Sequence, residues 1–268
     1  MHKVKTARPS AQLREGRNDW YRIKNLGGGA AEVAIYDEIG WFGVTAADLI
    51  NELKSVTASE ITVRLNSPGG DVFDGIAILN ALRSHAARIT VSVDGLAASI
   101  ASVIAMAGDR VVMQPQSQLM IHDAMSLCVG NAADMAEMAE QLNRQSDNIA
   151  SVYASRAGGS PEEWRDRMRN ETWYTAQEAV DAGLADEVAP LPKEREKGLV
   201  AASWDLSIFN FASREQAPSP VLATRDATPE PSAPAPHEAA PPVFAFDSDV
   251  FRAAVRAGVT DSNREAVK

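Results

Sequence analysis

Three short segments carry residue types able to cleave an acyl bond. Gly95-Leu96-Ala97-Ala98-Ser99 ends in a serine after a glycine-led turn, and Met120-Ile121-His122-Asp123 sets a histidine at the end of an apolar run. Upstream, Asn66-Ser67-Pro68-Gly69-Gly70-Asp71 places two glycines together between a β-branched run and a helical pattern. A serine hydroxyl becomes a useful nucleophile when an adjacent base takes its proton. Imidazole is the side chain best suited to that near neutral pH. A double glycine leaves backbone N–H groups open to a developing oxyanion, and one such donor is typically worth ~3 kcal/mol. Nucleophile, base and oxyanion donors together describe a serine hydrolase.

Each segment also has a plainer reading. Ser99 equally suits a small helix-packing position, like Ala98 or Ser102, and local sequence leaves both readings open. Of the four histidines, His2 lies in a basic arm, His237 in a proline-rich stretch, and His85 ends the polar segment Arg83-Ser84-His85. Only His122 follows an apolar strand inside the core, and its pairing with Ser99 favours a chemical role. No second histidine or cysteine stands at ligand spacing from it, so no metal is expected. No cofactor is expected either: the phosphate-loop and dinucleotide glycine patterns are both missing. The single cysteine, Cys128, forms no intrachain disulfide and reads as a small side chain near a loop.

The elements that must position these residues alternate strands with helices. Glu32–Tyr36, Ile61–Leu65 and Ile89–Val93 read as strands, with Val111–Met113 and Leu119–Ile121 continuing the sheet. Thr45 reads as the cap of a helix over Ala46–Lys54, with Asp48 completing a capping box. A second helix starts near Asp71, and an almost wholly apolar third is expected over Leu96–Ala107, so it must be buried. A long helix opens near Asn131 with Asp134 in its first turn, and Met135, Met138, Leu142, Ile149 and Val152 mark its apolar side. Such alternation implies an α/β fold with much parallel pairing.

Composition bounds the rest. The chain has 268 residues, 45% of them hydrophobic and 23% charged, with a net charge of −10. That acidic balance argues against nucleic acid as the main partner, since such sites need clustered Lys and Arg. No secretory leader and no membrane span are read, and a cytoplasmic protein is expected. Residues 1–17 read as a flexible arm, 18–190 as the folded domain and 191–268 as a disordered tail. Eight prolines fall between Pro218 and Pro242, among Ala, Ser, Thr and Glu. A short amphipathic helix is possible near Asp249–Val255, as is a frayed end.

The three segments, in this order and spacing, resemble the signature segments of ClpP-type serine peptidases. Trp173-Tyr174-Thr175-Ala176-Gln177-Glu178-Ala179 is similar to the stretch following that family's catalytic acid, and the resemblance covers roughly residues 19–188. Asp71–Ala77, Val93–Ser99 and Asn170–Trp173 look most like the phage-related branch, the head maturation proteases. The resemblance implies that Ser99 is the nucleophile, His122 the base, and the N–H groups of Gly70 and Ile100 the oxyanion hole. It puts Glu171 in the slot of the orienting acid, where the housekeeping enzymes carry an aspartate, with Asp166 and Asp186 as alternatives. Asp123-Ala124 replaces the housekeeping Gln-Pro, so peptide preference is not carried over.

The resemblance further implies a crotonase-like stack of strand–strand–helix units whose long helix serves oligomerisation. The expected partners are copies of the same chain, in rings that stack, and capsid or scaffold protein as substrate in the host cytoplasm or prohead interior. Dependence on a Clp ATPase stays open. Three other readings also stay open: a housekeeping Clp subunit, an acyl-CoA hydratase or isomerase of the same fold, and a non-catalytic scaffold. The Ser99–His122 pair counts against the last two.

Overall fold

A computed structural model describes residues 21–40, 46–191 and 205–222. Thr45, the 1–17 arm and the helix expected near 249–255 lie outside the described residues.

Alternating apolar positions build the sheet. β1 (Tyr21–Gly27) runs antiparallel to β2 (Ala30–Tyr36), and β3 (Glu60–Ser67) and β4 (Arg88–Ala98) follow in parallel. β5 (Arg110–Met113) and β8 (Glu187–Val188) extend the same sheet in parallel. α1 (Ala46–Leu53), α2 (Val72–Ser84) and α3 (Ile100–Ala105) connect the strands. Leu49, Leu53, Ile78, Leu79 and Leu82 of the helices share one buried core with Val33, Ile35, Val63, Leu65, Val91 and Val93 of the strands. This is the mixed α/β architecture expected from the alternation.

β4 is the strand that makes the site. Its first half, Thr90–Val93, pairs with β5, whereas Leu96–Ala98 pairs with β6 (Gln118–Ile121). The sheet therefore forks near Asp94-Gly95. At the fork the ladder to β3 slips between Leu65 and Ser67, and the Asn66 side chain supplies the missing acceptor: its Oδ1 takes the Leu96 N–H at 3.0 Å. A Cβ on Gly95 would lie 2.7 Å from that oxygen, so glycine is required for the approach. Arg64 and Tyr36 both bind the Asp94 carboxylate on the other side of the fork, Arg64 Nε at 2.7 Å.

Two expectations are corrected here. The helix expected over Leu96–Ala107 starts only at Ile100, because Leu96–Ala98 belong to β4; an apolar run fits a buried strand as well as a buried helix. The tail also contains packed structure: residues 205–222 lie against the body, with Ile208, Phe209 and Ala217 buried. These side chains form a second apolar cluster with Leu96, Ala98, Met120 and Trp173.

Beyond β6 comes α4 (Ala132–Ala157), 26 residues and ~39 Å long. Asn131 caps it in a reciprocal box with Asp134. α5 (Pro161–Arg169), β7 (Thr172–Thr175), antiparallel to β6, and α6 (Ala176–Asp181) complete the body. No helix among the described residues is long and apolar enough to cross a membrane.

Candidate active site

Ser99 occupies the single residue between the end of β4 and the start of α3, at φ 56°, ψ −130°. A non-glycine residue in such a conformation costs on the order of 1–3 kcal/mol, and the surroundings must hold it there. Its N–H donates to Met120 O at 3.0 Å. Its carbonyl accepts the Ser102 hydroxyl at 2.6 Å, which in turn pairs with the Tyr153 hydroxyl of α4 at 2.8 Å.

Because Ala98 pairs with Met120 across the β4–β6 ladder, the residues just beyond those strands emerge side by side. His122 follows β6 directly, and its Nε2 stands 2.7 Å from Ser99 Oγ. With Nε2 accepting the serine proton, the ring proton belongs on Nδ1. Burial pushes the imidazole down to about 4, while the neighbouring Asp123 carboxylate pulls the other way. The ring is therefore neutral at pH 7, the form a general base needs.

Long-range contacts fix the segment after His122. The Asp123 carboxylate is gripped at both oxygens by Arg165 of α5, Nε at 2.7 Å and the second contact at 3.1 Å. Arg165 also donates to the Asn143 side chain at 2.9 Å and to Asp147, both on α4. The Ala124 N–H donates to Ser146 Oγ at 2.9 Å. Sequence reasoning missed Arg165, whose only local signal is a place in a well-capped polar helix.

The glycine turn packs Gly69 against Ser99 and Gly70 against the Ile39 backbone. A Cβ on Gly69 would stand 2.7 Å from Ser99 Cβ, and one on Gly70 2.1 Å from Ile39 O. Both residues hold positive φ, 105° and 150°, which side chains rarely adopt. The Ser67 hydroxyl holds the turn, accepting the Gly69 N–H at 3.1 Å and donating to Asp37 O at 2.6 Å. Ile100, next to Ser99, is the first residue of α3, where backbone N–H groups have no intrahelical acceptor.

Glu171 lies beside the pair without joining it. The β6–β7 register ends with Ile121 paired to Thr172; His122 follows the first strand, and Glu171, at φ 49°, precedes the second. Yet its buried carboxylate accepts the N–H of Asn210 at 2.6 Å, that of Phe211 at 2.8 Å and the Trp173 indole N–H at 3.2 Å. The alternatives are engaged elsewhere: Asp166 binds exposed Arg169, and Asp186 accepts from Val111 N–H and Arg156. Among the described residues no carboxylate hydrogen-bonds to His122. Instead the Phe209 ring stands edge-on to the imidazole, 5.2 Å between centroids at 82°.

A strained serine on a neutral histidine, beside paired glycines, is equipped for nucleophilic acyl transfer. Comparison with known proteins points the same way. The sequence model of a family described as Clp protease matches residues 20–191. The chain is 33% identical over 132 residues to an ATP-dependent Clp protease proteolytic subunit of Bacteroides fragilis, covering 48% of this chain and 63% of that relative. It is 30% identical over 141 residues to the subunit of that name from Deinococcus radiodurans, covering 52% and 69%. To the ATP-dependent Clp protease proteolytic subunit 1 of Chlamydia abortus it is 33% identical over 150 residues, covering 53% and 78%. The match thus spans less than two thirds of the Bacteroides relative's length.

Proposed function

The chain belongs to the Clp protease family, and from that premise we propose that it is a serine endopeptidase with Ser99 as nucleophile and His122 as general base. The observation that carries the reading is the 2.7 Å contact between Ser99 Oγ and His122 Nε2. Ser99 Oγ attacks the scissile carbonyl as His122 Nε2 takes its proton. The carbonyl oxygen becomes an oxyanion facing the N–H groups of Gly70 and Ile100. Collapse of this adduct breaks the C–N bond, and the amine leaves with the proton from His122. Water, deprotonated by His122, then hydrolyses the Ser99 ester, and the serine regains its proton. Glu171 is the proposed acid for orienting the imidazole.

The substrate proposed is capsid or scaffold protein cut during prohead maturation, in the host cytoplasm or prohead interior, and the phage-like segments 71–77, 93–99 and 170–173 support it. A housekeeping proteolytic subunit fed by a Clp ATPase fits the named relatives equally well. Either way the working form is a ring-forming homo-oligomer. Support comes from the exposed apolar residues Met125, Leu127, Val129 and Met135 around the start of α4.

The test is a serine-directed fluorophosphonate probe with intact mass as readout. Wild type should gain one adduct and Ser99→Ala none. Absence of labelling in the assembled protein would leave the scaffold reading.

A further inference from the structure

We infer that residues 205–222 form an intramolecular inhibitor that withholds the Glu171 carboxylate from His122, and that undocking of this segment completes the catalytic triad. The inference rests on the serine peptidase reading of Ser99 and His122.

The segment touches the machinery at three points. Asn210 and Phe211 direct consecutive backbone N–H groups onto the two oxygens of Glu171. Phe209 packs against His122 on one side and Trp173 on the other, with centroids 6.4 Å apart in the second contact. Ile208 and Phe209 then close an apolar cluster over Leu96, Ala98 and Met120, the strand residues leading into Ser99 and His122.

The docking is built rather than incidental. Arg214 grips Glu178 at both carboxylate oxygens, each at 2.7 Å, and its own N–H donates to Gln118 Oε1 at 2.9 Å. Glu178 simultaneously caps α6 through the Thr175 N–H at 2.8 Å. The segment is thereby tied to β6, β7 and α6 together.

The switch follows from how the Glu171 carboxylate is held. A buried carboxylate keeps its charge only while donors surround it. With the segment docked, two of the three donors to Glu171 come from Asn210 and Phe211. Undocking removes both and leaves the indole N–H of Trp173. The His122 Nδ1–H, at the end of the same β6–β7 ladder, is the donor that replaces them. Glu171 itself sits at φ 49°, just outside the β7 ladder. The docked amides hold the Glu171 carboxylate where it makes no hydrogen bond to His122, so the segment withholds it by orientation.

The test measures the rate of fluorophosphonate labelling of the full chain, for wild type, Phe209→Ala and Arg214→Ala. Each substitution should raise the rate at least about tenfold, since activity scales with the open fraction. A synthetic peptide of residues 205–222, added to either variant, should return the rate toward that of wild type. Arg214 lies outside the apolar cluster, so its variant decides the matter if Phe209→Ala fails to fold. Equal rates in wild type and Arg214→Ala, unmoved by the peptide, would overturn the inhibitor while leaving the peptidase intact. Failure of every form to label at Ser99 would overturn the peptidase reading, and the inference with it.

Discussion

His122 follows β6 and Glu171 precedes β7 at the same end of one ladder, but the glutamate carboxylate accepts the amides of Asn210 and Phe211. The imidazole meets an aromatic edge where an acid is expected, and a half-buried, uncharged ring results.

Ser99→Ala should lower peptidase turnover roughly 10^4- to 10^6-fold while leaving the fold intact. Ser99→Gly should be equally inactive but melt higher than the alanine variant, because glycine adopts φ 56° without strain worth ~1 kcal/mol or more. Paired melting curves check the second point; a lower melting temperature for the glycine form would contradict the strain.

The pH dependence has a defined sign. Folding lowers the His122 value from 6.5 to about 4, so the unfolded chain binds more protons in that window. The contribution to stability is complete above 6.5 and is lost as pH falls toward about 4. The labelling rate of wild type should likewise persist well below the usual histidine range. In Phe209→Ala, Glu171 beside the imidazolium stabilises the charged ring, and the acid limb should move to higher pH. Rate–pH profiles of the two proteins read this directly.

Two glycine substitutions separate packing from chemistry. Gly69→Ala forces a Cβ within 2.7 Å of Ser99 Cβ at φ 105°, and should cost about 1–3 kcal/mol together with most activity. Gly75→Ala sets a Cβ 2.1 Å from Ile100 Cγ1 and displaces the residue bearing a proposed oxyanion donor. Its kcat should fall about 10- to 100-fold with KM little changed. Steady-state kinetics on a peptide substrate distinguish the two.

Arg165→Ala strips the partner from Asp123 and loosens the residue after the base. Its side chain is 7% exposed, but Asp123 and Asp147 reach solvent, so the expected loss is about 1–3 kcal/mol. Arg165→Lys should not restore stability, because an ammonium cannot bridge both oxygens of Asp123. Denaturant titration of the three proteins provides the comparison.

Much of this geometry was legible from residue type. The run into His122 announces a strand end, and Asn131 with Asp134 announces the start of α4. The β4–α3 boundary was not legible, because Leu96–Ala107 is apolar under either period. Glu171 could be named but not placed, since its partners lie about 40 residues downstream. Leu206, Ile208, Phe209 and Phe211 are an apolar cluster in plain view, yet the proline-rich composition just beyond them dominates the reading of the whole tail. Arg165 stayed hidden because a helix pattern does not say which loop a side chain will reach.

The first half of α4 is mostly bare: residues 131–145 are largely exposed, Asn143 meets Arg165, and burial begins at Ser146. A stretch of that length is marginal as a helix in water unless something packs on it. Asn143, Ser146 and Asp147, which hold Arg165 and Ala124, stand where the bare half meets the packed half. Fraying that travels from Asn131 as far as Asn143 therefore releases the segment behind His122. The melting of a remote helix end and the disordering of the imidazole are one local unfolding event, with a single free energy.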